Sequence, residues 1–222
     1  MMDDLVEHAS PTAHAYLEVF MPLVDQGMDV EEPLCRQAAV YGAGVLAQAG
    51  GEAASPAVQP LVHKLVEMVQ DEDAYDEERI NCTENALSSL IKFVKCRGPL
   101  LGGQEGDIMD VVVTRLPIVA DEIEARLVHE QFFRGVVDGD VNFIGDGWSK
   151  LPQVVLAFSA ILVAHMSVVQ EGEDPLLNEE SLGAVPEVWA AIQAGAPADA
   201  LNGVVLALAE EQQAVLAELG WA

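Results

Sequence analysis

Six carboxylates fall within eight positions, at Asp71, Glu72, Asp73, Asp76, Glu77 and Glu78. A run this dense repels phosphates and anionic lipids and attracts Lys/Arg-rich protein segments, so its chemistry is that of a docking surface for a basic polypeptide. For each carboxylate taken singly, the plainer alternative is a solvated connector. Just beyond the run, Asn81, Glu84, Asn85 and Ser88 recur at helical spacing, which brings them onto one helix face, with Lys92 one turn further on. This stripe has the groups to hydrogen-bond an extended basic segment, and equally the groups to tie two packed helices together. Both readings stay open at this level.

Nothing in the chain points to catalysis. The histidines (His8, His14, His63, His129 and His165) are scattered, none at a ligand spacing or beside a nucleophile. His165, in an apolar stretch, reads as a hydrogen-bonded core residue. Gly42-Ala43-Gly44 lacks the third glycine of a dinucleotide fingerprint and reads instead as a place where two helices approach closely. Gly102-Gly103-Gln104-Glu105-Gly106 lacks the Lys and Ser/Thr of a phosphate loop. Asp138-Gly139-Asp140-Val141-Asn142 opens like a calcium loop, with Asp146 nearby. However, Phe143 stands where that loop requires glycine and Ser149 where it requires glutamate, so an exposed loop is expected. Cys35, Cys82 and Cys96 have neither disulfide nor zinc spacing; each is expected to be a small buried hydrophobe in a reducing compartment. The expectation is no enzyme, no metal and no cofactor. An all-α enzyme would need a buried cluster of titratable groups.

Composition bounds the elements that must position these residues. The chain has 222 residues, 51% of them hydrophobic, enough to bury a core as one domain or a short run of repeats. Aromatics make up only 5%, which with abundant Ala, Leu, Val and Glu favours helix over strand. The net charge of -27 argues against nucleic acid and anionic membranes as partners and for basic proteins. The first ten residues carry acids and no apolar core, so no signal peptide is expected. Residues 151–169 hold no Lys, Arg, Asp or Glu, but Pro152, Gln153, Ser159 and His165 interrupt them. They read as a helix buried on nearly all sides, not as a membrane span.

Helix-period apolar spacing pairs 13–28 with 34–49, 58–70 with 79–96, 107–116 with 122–137 and 151–170 with 181–194, followed by a last helix over 197–219. Gly50-Gly51, Gly98-Pro99 and Gly102-Gly103 close the units. The first two units repeat at about 40 residues, the range of HEAT and armadillo repeats. A unit this small cannot bury its own apolar faces, so neighbours must stack. The expected fold is therefore all-α: an α-α superhelix, a HEAT/armadillo-like solenoid of four to five antiparallel helix pairs. Its repeats fall at about 11–51, 56–98, 107–140 and 150–195, with a capping helix at 197–220. Pro22 and Pro60 occupy matching places in first helices, and Arg36 and Arg79 open second helices. Asp25 or Asp29 and Asp71 or Asp73 are the acids for an Asp–Arg ladder between turns.

The segment Cys35-Arg36-Gln37-Ala38-Ala39-Val40-Tyr41-Gly42-Ala43-Gly44-Val45-Leu46-Ala47-Gln48 resembles the second-helix pattern "RQAAxYGxGxxAQ" of the importin-β superfamily (karyopherin-β), importin-5 branch. Asn81-Cys82-Thr83-Glu84-Asn85-Ala86-Leu87-Ser88-Ser89-Leu90-Ile91-Lys92 is similar to the branch's "NxTENxxSxxxK" helix. Arg115-Leu116-Pro117-Ile118, Leu151-Pro152 and Glu211-Gln212-Gln213-Ala214 follow in the family's order, with Arg115 in place of a tryptophan. Residues 98–107 and 121–148 agree only loosely.

The resemblance implies a C-terminal HEAT-repeat region of a nuclear import receptor, shuttling between cytoplasm and nucleus. Its implied partners are basic cargo proteins (ribosomal-protein-like or histone-like), phenylalanine-rich nucleoporins received in hydrophobic slots, and Ran-GTP through N-terminal repeats this chain lacks. Nucleic acid and membrane insertion are not implied. The alternative is a HEAT-repeat scaffold or regulatory subunit of another protein complex.

Overall fold

The computed structural model describes residues 16–220. They form eleven α-helices and short 3₁₀ turns, with no strand among the described residues. The all-α class expected from periodicity is what the chain adopts. The readings made on residues 1–15, including His8, His14 and the missing signal peptide, lie outside the described residues. The chain divides into two compact units, one up to Val111 and one from Val112.

In the first unit, α1 (Leu17–Gly27) packs on α2 (Pro33–Ala49), and α3 (Ser55–Gln70) on α4 (Ile80–Arg97); α2 against α4 joins the two hairpins. Pro22 and Pro60 lie inside α1 and α3, as their matching positions suggested. Helix α2 starts at Pro33, whose fixed φ suits the first turn, and Glu32 caps it by accepting a 2.7 Å bond from the Cys35 amide. That bond holds the Glu32 carboxyl below its usual range. The α2–α4 seam is built of small residues: Ala43, Ala47 and Ala86 are fully buried beside Leu46, Leu87 and Leu90. Each large side chain covered this way stabilises by about 1.5–3 kcal/mol.

In the second unit, α6 (Glu122–Val137) packs on α9 (Glu179–Gly195), while α10 (Ala198–Leu206) and α11 (Glu210–Glu218) both pack on α8 (Leu151–Glu171). The one-turn α7 (Val141–Ile144) touches α6 and α8. Helix α5 (Glu105–Val113) spans the boundary between the units in sequence. Few as the aromatics are, four Phe and one Trp meet here. Phe132 lies 6.1 Å from Phe133 and 6.2 Å from Phe143; Phe133 meets Phe158 edge-on at 5.6 Å, and Phe158 stacks on Trp189 at 6.2 Å. Such pairs add about 0.5–1.5 kcal/mol each beyond burial.

Three expectations change. The single last helix is two, broken between Leu206 and Glu210. There Gln213 Nε2 donates to the Leu208 carbonyl at 2.8 Å and Gln212 Oε1 accepts from the Ala209 amide at 3.3 Å, so side chains take over backbone partners that a continuous helix would have used. Of the cysteines only Cys82 is buried; Cys35 and Cys96 are exposed, because apolar neighbours in sequence point to other faces of a helix. Helix α8, which by length and composition is apolar enough to cross a membrane, is not buried on nearly all sides: Leu151, Val154, Val155, Ala157, Phe158, Ser159, Ile161, Leu162 and His165 are buried, whereas Leu156, Met166 and Val169 are exposed.

Candidate functional site

The turn end of the first unit gathers most of the charged groups that sequence reasoning singled out. Lys64 of α3 reaches across to the preceding hairpin: its Nζ lies 2.8 Å from Asp25 Oδ1 and 2.8 Å from Asp29 Oδ2, and donates to the Asp25 carbonyl at 2.8 Å. Burial would lower the pKa of this ammonium, but the two carboxylates outweigh that and raise it. Arg79 pairs with Asp71 at 3.2 Å, and the same Asp71 oxygen accepts the Asp73 amide at 2.9 Å. Arg36 instead donates from Nε to the Val30 carbonyl at 2.8 Å. An acid–base link between hairpins therefore exists, but Lys64 makes it. The guanidinium of Arg36 is committed to its own connection, and Lys64 lies one hairpin further along the stack.

Between these groups opens a cleft of about 570 Å³. Its walls carry the three cations together with the carboxylates of Glu31, Glu67 and Glu78, and Met28 and Met68 supply apolar surface. Cys82 also lines it. Burial pushes this thiol up to about 11, against a smaller downward pull from Arg36, and its Sγ sits 3.5 Å from Met68 Sδ. It stays protonated at neutral pH, so thiolate chemistry has no carrier here.

All six residues of the acidic run, Asp71, Glu72, Asp73, Asp76, Glu77 and Glu78, are exposed. Ala74, in their midst, is buried, and its carbonyl accepts a 2.6 Å bond from Thr83 Oγ1. The connector is thus pinned at its centre and turns its acids outward. Asp71 and Glu78 line the cleft; Glu72, Asp73, Asp76 and Glu77 do not. Of the polar stripe, Asn81 is exposed and Lys92 half-buried, with its Nζ 5.4 Å over the Tyr41 ring. Glu84, Asn85 and Ser88 are only 2%, 4% and 2% exposed, and Asn85 Nδ2 donates to the Asn81 carbonyl at 2.9 Å. Such burial leaves a partner no access to these three, and the Asn85 bond stays within α4.

Sequence reasoning missed Lys64, Glu31 and Glu67. The signal available was Asp25 and Asp29, four apart in a hairpin whose only cation is Arg36.

In the second unit a shallow apolar slot of about 450 Å³ lies between the start of α8 and α10, lined by Pro152, Leu156, Gly203, Val204 and Leu208 with Asp199 at its side. Asp140, from the calcium-loop look-alike, accepts the Asn142 amide at 2.9 Å and so caps α7. Among the described residues no three of His, Cys, Asp and Glu cluster as metal ligands would. No protein-family model matches the chain.

Proposed function

We propose that this chain is a protein-docking module that takes a basic, extended polypeptide segment along the 71–78 connector and the adjoining cleft, as part of a nuclear import receptor. The single observation that carries the docking reading is the pinned connector, which presents six exposed carboxylates beside a 570 Å³ cleft on a chain of charge -27. Long-range attraction of this kind steers a cationic partner and weakens as salt screens it. The import assignment rests on the order of the importin-like motifs. In that setting the apolar slot at Leu156, Val204 and Leu208 is the place for a phenylalanine side chain of a pore protein. Ran-GTP would act on repeats outside this chain, and basic cargo would be carried between cytoplasm and nucleus. Exposed apolar surface of this kind equally suits a scaffold subunit of another assembly, and that remains the second reading.

The test is fluorescence anisotropy with a labelled Lys/Arg-rich peptide at low and high salt. The expected result is binding at 50 mM salt that weakens at least tenfold by 300 mM, and that weakens similarly when Glu72, Asp73, Asp76, Glu77 and Glu78 become amides. No binding at low salt, or binding indifferent to both changes, overturns the docking reading. Capture of phenylalanine-repeat peptide that is lost on Leu156→Asp supports the import setting; failure to capture it favours the scaffold.

A further inference from the structure

Three links tie α6 to the start of α9 in ascending order along both. Arg126 Nε donates to the Pro175 carbonyl at 2.8 Å, Asn178 Nδ2 donates to Glu130 Oε2 at 2.9 Å, and Arg134 Nη2 pairs with Glu180 Oε1 at 2.6 Å. The two helices therefore run in the same direction here. From the last of these links onward, a groove of about 360 Å³ opens between them.

Arg134 shows what kind of group this seam holds. Its Nη2 also lies 3.0 Å from Glu130 Oε1, so one guanidinium bridges carboxylates on both helices. The next turns carry a second pair of acids. Asp138 stands four residues beyond Arg134 and Glu187 seven beyond Glu180; both are exposed and both line the groove. Among the described residues the carboxylate of neither has a hydrogen-bond or ion-pair partner, and Arg134 attracts Asp138 only from a distance. The groove thus sets four carboxylates against one cation.

A second feature has nothing to do with charge. Ser181, which lines the same groove, is 1% exposed, and its buried hydroxyl has no hydrogen-bond partner. Its oxygen is an acceptor that faces no donor. The α9 wall beside it is open at Gly183, where an added Cβ would meet no atom within 4 Å.

These features select a class of ligand. Among the described residues no three carboxylates converge as the ligands of one metal ion would, so a bare ion gains little here. A guanidinium or alkylammonium instead spreads several N–H donors over separate acceptors, and its stem covers apolar wall such as Val137 and Ala184.

We propose that the α6–α9 groove binds a guanidinium or alkylammonium group on an aliphatic stem, its head held by Asp138 and Glu187 and one N–H donated to Ser181 Oγ. The stem lies against Val137 and Ala184. An arginine or lysine side chain of another polypeptide and a free polyamine share this chemistry. The site belongs to the second unit and does not rest on the reading of the 71–78 connector.

The experiment is a ¹H–¹⁵N NMR titration of the whole chain at about 150 mM salt, where loose attraction to a chain of charge -27 is screened. The probes are agmatine for the shared chemistry, spermidine for a free polyamine and N-acetyl-arginine amide for a side chain. Agmatine should give saturable shifts confined to residues 130–138 and 180–187. Its affinity should fall about fivefold or more in the double variant Asp138→Asn, Glu187→Gln, which removes two exposed ion pairs. Ser181→Ala deletes an unpaired hydroxyl, so it should fold as wild type does and bind severalfold more weakly. Turning Glu72, Asp73, Asp76, Glu77 and Glu78 into amides should leave the affinity unchanged, so this site and the connector stand or fail separately. Whichever of spermidine and N-acetyl-arginine amide binds more tightly identifies the source. Shifts spread over the acidic residues of both units, shifts that never saturate, or an affinity unmoved by the double variant or by Ser181→Ala would each overturn the proposal.

Discussion

Ser89 Oγ on α4 donates a buried 2.9 Å hydrogen bond to the Val40 carbonyl on α2, and Gly44 lies directly beneath the same hydroxyl. A Cβ at position 44 would fall 2.7 Å from Ser89 Oγ and 3.0 Å from Lys92 Cδ. The missing side chain is what lets the two second helices of neighbouring hairpins come close enough to bond.

Two effects of opposite sign compete at that position. Alanine gains roughly 1 kcal/mol over glycine inside a helix, whereas overpacking costs roughly 1–3 kcal/mol. Gly44→Ala should therefore be neutral to destabilising in the wild-type protein and turn stabilising in a Ser89→Ala background. Urea unfolding of the four members of the cycle checks this, and additive effects would mean the hydroxyl is not the obstacle.

Lys64 is the cation that holds Asp25 and Asp29 together, with its side chain 25% exposed. Lys64→Met should cost about 1 kcal/mol, because the two carboxylates then face each other unscreened. The loss should shrink at 0.5 M salt. A salt-independent loss would assign Lys64 a packing role instead.

Trp148 adopts a left-handed backbone, φ 65°, and lays its indole over Gly195, where any Cβ would collide with the ring. Gly195→Ala should lower the stability of the second unit by about 1–3 kcal/mol and shift Trp148 emission. Trp148 and Trp189 lie in the second unit and Tyr16, Tyr41 and Tyr75 in the first, so intrinsic fluorescence separates the two. Loss of stability in the tyrosine signal alone would refute the assignment.

Acid should weaken the second unit through its histidines. Burial lowers His165 as well as His129, so both are neutral when folded and bind protons readily only when unfolded. Stability from this source is complete above about pH 6.5 and is lost as pH falls from there toward the folded values, at up to about 1.4 kcal/mol per pH unit for each imidazole. His165 Nδ1 has no partner, so His165→Leu should keep or raise stability at pH 7 and reduce the acid sensitivity. Tryptophan-monitored urea midpoints at pH 7 and 5 measure this; a variant as acid-sensitive as wild type contradicts it.

What the chain alone determined was the run of helices and their all-α class, because apolar spacing such as Leu61, Leu65 and Val69 states directly which face must be covered. The acidic run at 71–78 was equally legible, since exposure is the default for carboxylates. Packing decided what spacing could not. The polar stripe is at one place solvent-facing (Asn81) and two turns on enclosed (Ser88), because periodicity names a face but not its neighbour. The link between hairpins passes through Lys64, not Arg36, because a long side chain takes whichever acceptor its backbone brings within reach. His129, one unremarked histidine among five, became the joint of two connections only when residues 11 and 47 positions away in the chain were folded against its two nitrogens.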